Sequence, residues 1–147
     1  MIAAVVVALG LGGYRALTDG RFRGTRSVGE QRPPADEPAA AATTDLWAHV
    51  RSAVPGAALG EQATLLQFSS AFCAPCRATR RTLSEVAGMV PGVEHLEVDA
   101  EHHLELVRRL DIVRTPTTIV IDPVGNEVTR ATGAPRKEQV LSALAGL

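Results

Sequence analysis

The chain holds two cysteines in its 147 residues, Cys73 and Cys76, and they stand C-x-x-C within FSSAFCAPCRATRR. Before them lies ATLLQF, an apolar run that reads as a buried strand; after them RATRRTLSEVAGMV reads as a helix. Pro75 has its φ already set for a first helical turn, where its missing N–H costs nothing. The thiols therefore sit on a strand-to-helix turn, with Cys73 at the helix N-terminus. Unpaired N–H groups and the macrodipole favour an anion there. A thiolate is the species that attacks a disulfide, so the placement suits thiol–disulfide chemistry. Cys76, about one turn further in, is within reach to close an intramolecular disulfide. Two other uses compete. A permanent bridge over so short a loop would stabilise a domain little. Zinc would need two further ligands, and His49, His95, His102 and His103 show no H-x-x-x-H spacing.

The elements that must carry this turn follow from the pattern around it. Asp45 is placed to cap a short helix bearing Leu46, Trp47 and Val50, ended by Pro55-Gly56. The helix after the cysteines is expected to stop at Pro91-Gly92, and VEHLEV to form a strand. Asp99 ends that strand and is expected to cap a helix built on Leu104, Val107 and Leu110. TTIVI, the turn DPVGN and EVTRAT read as an antiparallel hairpin, and a last helix carries Val140, Leu141 and Leu144. This order predicts an α/β domain: a mixed central sheet with helices on both faces. Residues 43–147 are its expected extent, enough for one core without disulfide staples.

Composition is that of an ordinary one-domain globular protein, with 46% hydrophobic residues. A net charge of −1 gives no case for nucleic-acid binding. The charge is uneven, because residues 1–32 carry five arginines against Asp19 and Glu30. MIAAVVVALGLGGY, residues 1–14, is an uninterrupted apolar run, and Ala16 and Leu17 extend it if Arg15 snorkels to the headgroups. It lacks the positive n-region and the small-residue cleavage site of a signal peptide. Residues 1–17 are expected to be a membrane-anchor helix, giving a single-pass protein of the cell membrane. Residues 18–42, with Pro33, Pro34 and Pro38 and no period, are expected to be a flexible linker. Four arginines closely follow the apolar run and no Lys or Arg precedes it, which puts the rest of the chain in the cytoplasm.

The cysteine stretch resembles the active site of a thioredoxin, with CAPC where that family commonly has CGPC. The resemblance continues through VEHLEVDAE, DIVRTPTTIVID and VTRATGA, covering roughly residues 61 to 147 in family order. It implies a thioredoxin-like fold, although the short strand that usually opens that fold is hard to find; residues 53–60 are too rich in Gly and Pro. It also implies a thiol–disulfide oxidoreductase with no bound cofactor, the Cys73–Cys76 disulfide being its own redox centre. Its partners would be protein disulfides and an upstream electron donor, and the molecule would be a monomer. Pro75 is what reducing members carry between the cysteines, so the site leans reducing, with Ala74 a modest departure. Many tethered relatives work outside the membrane, which opposes the charge argument and leaves an extracytoplasmic domain as the alternative.

Residue by residue, the resemblance makes Cys73 the nucleophile and Cys76 the thiol that resolves the mixed disulfide. Thr115-Pro116 matches the family's cis-proline, beside which an extended substrate segment pairs. Phe72 replaces the usual Trp at the apolar rim, and Gly133 matches a glycine that lets a partner's backbone approach. Arg77, Arg80 and Arg81 either raise the local potential or form the solvated face of the helix. Gln67 stands where thioredoxins carry a buried Asp that takes the proton from the second cysteine. An amide cannot serve as that base. His95, where the family carries a Lys, titrates in the useful range; water or Glu97 are the other acceptors. A second function class stays open: a binding module that recognises a partner through the Thr115-Pro116 edge without turnover.

Overall fold

The computed structural model describes residues 20, 22–24 and 45–147. The expected anchor, residues 1–17, lies outside them, as do most of the expected linker and the side chain of Asp45. Among the described residues no helix is long and apolar enough to cross a membrane.

The elements run β1 (Phe22–Gly24), α1 (Asp45–Ala53), β2 (Ala63–Ser69), α2 (Ala74–Met89), β3 (Val93–Asp99), α3 (Leu104–Arg109), β4 (Thr117–Ile121), β5 (Glu127–Thr132) and α4 (Lys137–Leu144). They form a five-stranded sheet in the order β1-β5-β4-β2-β3. β2 pairs parallel with β3 and antiparallel with β4, and β5 pairs antiparallel with both β4 and β1. The sheet is therefore mixed, as expected.

β2 is buried along its whole length because it is covered on both faces. Leu66 and Phe68 pack with Leu46 and Val50 of α1 and Leu106 of α3. Leu65 and Ala63 point the other way, toward Leu83 and Val86 of α2 and Val140 of α4. The period-2 alternation thus feeds two half-cores from one strand. It also places Gln67 on the α2 face, directly beneath the cysteine turn.

Two expectations need correction. A strand that was not foreseen lies inside the stretch read as linker: Phe22–Gly24 pairs with Ala131–Thr129 at the β5 edge, the edge opposite β3. Three residues are too few to show a period, and the glycines and arginines around them read as loop. Asp99 does not cap α3. Its carboxylate accepts from the Glu101 N–H at 2.8 Å and meets His102 Nδ1 at 2.8 Å, while the cap position falls to His103 without a side-chain bond. The short Asp99 side chain closes its own turn first, and the helix begins one turn later. The DPVGN turn is as expected, with Asp122 Oδ1 accepting from the N–H groups of Val124 (3.0 Å) and Asn126 (2.8 Å).

Candidate active site

β2 ends at Ser69 and α2 begins at Ala74, so four residues carry the chain from the sheet into the helix. Cys73 is the helix N-cap in extended conformation, with Ala74 and Pro75 as the first two helical residues. Its Sγ accepts the Cys76 N–H at 3.1 Å. That is the cap position at which a serine or aspartate oxygen is usual, here filled by sulfur. Cys73 and Cys76 form a disulfide, their Cα atoms 5.2 Å apart. Cys73 is partly exposed, whereas Cys76 is only 2% exposed, so an incoming group meets Cys73 first.

The Thr115–Pro116 peptide is cis, with Pro116 buried. Thr115 Oγ1 lies 3.3 Å from Ser70 Oγ, which joins this loop to the cysteine turn. The Pro116 carbonyl accepts the Gly133 N–H at 2.8 Å. Gly133 has φ +96°, a left-handed conformation that glycine takes without a Cβ clash. Phe72 is almost wholly exposed beside Cys73. Cys73, Phe72, Thr115, Pro116 and Gly133 thus gather at one end of the sheet.

Gln67 and His95 lie behind this surface. Gln67 is fully buried, and its Nε2 donates to the Cys76 carbonyl at 3.0 Å. Its Oε1 is then the acceptor for His95 Nε2–H at 3.1 Å, and His95 Nδ1 receives the Ser84 hydroxyl at 3.0 Å. This circuit selects the neutral Nε2–H tautomer. Burial lowers the His95 pKa, as does the charge of Arg80, against an opposing pull from Glu97. Both ring nitrogens are engaged, and His95 reaches Cys76 only through the Gln67 amide, at the backbone.

Glu97 completes the polar row on the same face of β2 and β3. It receives the Ser69 hydroxyl at 2.6 Å and the Arg80 guanidinium at 2.6–2.8 Å. Burial would raise its pKa, but the bonds from Arg80 and Ser69 outweigh burial and hold it below the usual carboxylate value. A cleft of about 370 Å³ opens here, lined by Cys76, Arg77, Arg80, Glu97 and Asp99 among others. Glu97 and Asp99 are therefore the two carboxylates that share a solvent cleft with the second cysteine. Arg80 serves this ion pair, and Arg77, Arg80 and Arg81 are all exposed. The sequence signal for Ser69 and Glu97 was period 2 on the two parallel strands, which puts them on the face of Gln67 and His95.

The thioredoxin family profile matches residues 55–146, well over half of the chain. The chain belongs to the thioredoxin family. Among curated relatives of this thioredoxin are thioredoxin H2-1 of Oryza sativa subsp. japonica, 32% identical over 74 residues, and an H-type thioredoxin of Fagopyrum esculentum, 28% identical over 81. These matches take in 50% and 55% of this chain, and 53% and 68% of those proteins. Among solved structures, Fasciola hepatica thioredoxin superposes with a TM-score of 0.54 at 22% identity, covering 69% of this chain and 90% of that one. Spinach chloroplast thioredoxin f gives 0.54 at 24%, covering 68% and 83%. At these identities the superpositions speak for the fold. Among the described residues no group of three His, Cys, Asp or Glu side chains could hold a metal ion.

Proposed function

We propose that this thioredoxin is a thiol–disulfide oxidoreductase that reduces protein disulfides through Cys73 and Cys76. The observation that carries the reading is the position of Cys73: a partly exposed N-cap sulfur, already accepting a backbone N–H, one turn from a buried partner. The donors that hold this sulfur in the disulfide stabilise a thiolate in the reduced form. The reaction balances within the pair. The Cys73 thiolate attacks one sulfur of the target, a Cys73–target bond forms, and the other target sulfur leaves as a thiolate. Cys76 loses its proton to water in the cleft it shares with Glu97 and attacks Cys73 Sγ. The target departs with two thiols once its thiolates take up protons, and the Cys73/Cys76 dithiol has given up two electrons in becoming the disulfide. A dithiol electron donor returns them.

The cis-Pro116 loop supplies the docking edge for an extended backbone, held in place by the Gly133 N–H on the Pro116 carbonyl. Residues 1–17 anchor the chain in the membrane, and the arginines that follow them favour a cytoplasmic domain. Labelling of Cys73 on intact, reduced cells by an impermeant thiol reagent would overturn that orientation.

The test of the activity is reduction of a soluble disulfide-bonded protein driven by dithiothreitol. Turnover above background, lost in Cys73→Ser, is expected. A wild-type rate equal to background would leave a domain that only binds its partners.

A further inference from the structure

We propose that the redox end of this domain faces the bilayer interface, so that its substrates are disulfides presented at headgroup depth. The proposal rests on residues 1–17 acting as the anchor, and it adds where the anchor delivers the domain.

Gly20 lies at the same end of the sheet as the cysteines, at the β1 edge. Gly20 donates its N–H to the Thr132 carbonyl at 2.8 Å, and the Arg114 guanidinium donates to the same oxygen at 3.1 Å. Thr132 is followed by Gly133, whose N–H is on the Pro116 carbonyl. One short relay of bonds thus links Gly20 to the cis-proline loop. The seat is also close-fitting. Gly20 has φ +74°, and a Cβ there would lie 2.3 Å from the Ala134 carbonyl oxygen. Glycine is the residue that permits so near a passage.

The length of chain between this seat and the apolar run decides the geometry. From Leu17 to Gly20 there are three residue steps, which span at most about 11 Å whatever their conformation. β2 alone is about 20 Å long, so the opposite end of the sheet lies beyond that reach. The end that carries Cys73 is therefore the end of the sheet nearer the point where the chain leaves the apolar run, with β1 at the edge three strands from β2. That end also bears the side chains suited to an interface. Phe72 is 97% exposed and Val113 is 78% exposed, on the two loops joined by Ser70 and Thr115. Arg77 stands exposed next to Cys76. Apolar tips with flanking cations are what an interfacial layer accepts.

Fluorescence in vesicles tests this. Full-length protein is reconstituted in phosphatidylcholine–phosphatidylglycerol vesicles whose acyl chains are brominated near the headgroups. Trp47, the one natural tryptophan, packs against Gly125 in the β4–β5 turn at the far end, and its emission should be retained. Phe72→Trp should add emission that is mostly lost to the bromines. Inserting about 20 Gly/Ser residues between Leu17 and Gly20, with a reach of about 25 Å, should restore that emission while vesicle binding persists. Protein that pellets with vesicles but shows no quenching in Phe72→Trp, or equal quenching of Trp47, overturns the proposal and leaves the anchor standing. Protein that fails to pellet overturns both, and the dithiothreitol assay still reports separately on the redox chemistry.

Discussion

The two ends of the sheet differ in a way that runs against a common guide to active sites. The larger hollow, about 700 Å³, lies at the end away from the cysteines, among Gln62, Val90, Val93, Pro123, Leu141 and Leu144. It is mostly apolar, with Glu61 and Gln62 at its wall, and holds no cysteine. The redox end has a cleft of about half that size and presents its chemistry outward: a cap sulfur, an exposed Phe72 and a backbone edge at Pro116. A small-molecule enzyme usually encloses its substrate. A site that must admit a disulfide embedded in another protein cannot enclose it, so it offers a protruding thiol and a strand-like edge. Concavity here marks where helices α2 and α4 fail to meet the sheet end. The chemistry is marked by a helix N-terminus.

The first way to break this comparison removes the resolving thiol. Cys76→Ser should drop turnover to background while the partly exposed Cys73 still attacks, so that a mixed disulfide accumulates. Non-reducing electrophoresis after mixing with a disulfide-bonded protein reads it directly. Absence of any adduct would mean that the protruding sulfur is not a nucleophile.

A smaller effect is expected behind the site. Gln67→Leu strips the Cys76 carbonyl and the His95 Nε2–H of their buried partner, at a cost of about 1–3 kcal/mol in urea unfolding. Gln67→Asp tests the same position for chemistry. A carboxylate beneath Cys76 should speed release of the mixed disulfide, while its burial lowers stability. A slower release in Gln67→Asp would show that the amide serves the second step as it stands. At the far end, Leu144→Ala should cost about 1–2 kcal/mol, since this side chain is only partly buried against the α2–α4 core. Its rate of disulfide reduction per folded molecule should equal that of the wild type. A loss of rate there would mean that the large hollow takes part in the function after all.

The cysteine turn, the helices and four of the five strands were legible because each rests on a local signal: a period, a proline, a glycine. β1 was not, because its three residues are held by pairing with β5, which no local pattern records. The site divides along the same line. Cys73, Pro75 and Pro116 announce themselves in the sequence. That Gln67 substitutes a structural bridge for an acid could be read only in part, since its absence of basicity is chemical but its two partners are set by the parallel register of β2 with β3. Glu97 carries little signal in the sequence for the same reason. A carboxylate on a strand is ordinary until packing puts Arg80, Ser69 and a cysteine-lined cleft around it.

The smallest expected effect concerns His95 and pH. Burial lowers its pKa in the fold below the ordinary 6.5. In the window beneath 6.5 the unfolded chain binds a proton that the folded chain refuses, so stability rises with pH there and is lost as pH falls. Glu97 has the carboxylate form of this dependence. Its contribution is present above 4.5 and fades as pH drops through its lowered value, so on acidification the His95 effect sets in first. His95→Gln keeps a donor and an acceptor but cannot titrate. Urea unfolding from pH 7 to 5 should therefore show a shallower decline in His95→Gln than in the wild type. The catalytic readout should behave differently. Since both His95 nitrogens are occupied by Gln67 and Ser84, single-turnover release of the mixed disulfide should keep its pH profile in the same variant. A lost inflection below pH 6.5 in that profile would make His95 the proton acceptor for Cys76, and the Gln67 amide would then be its link to the redox pair.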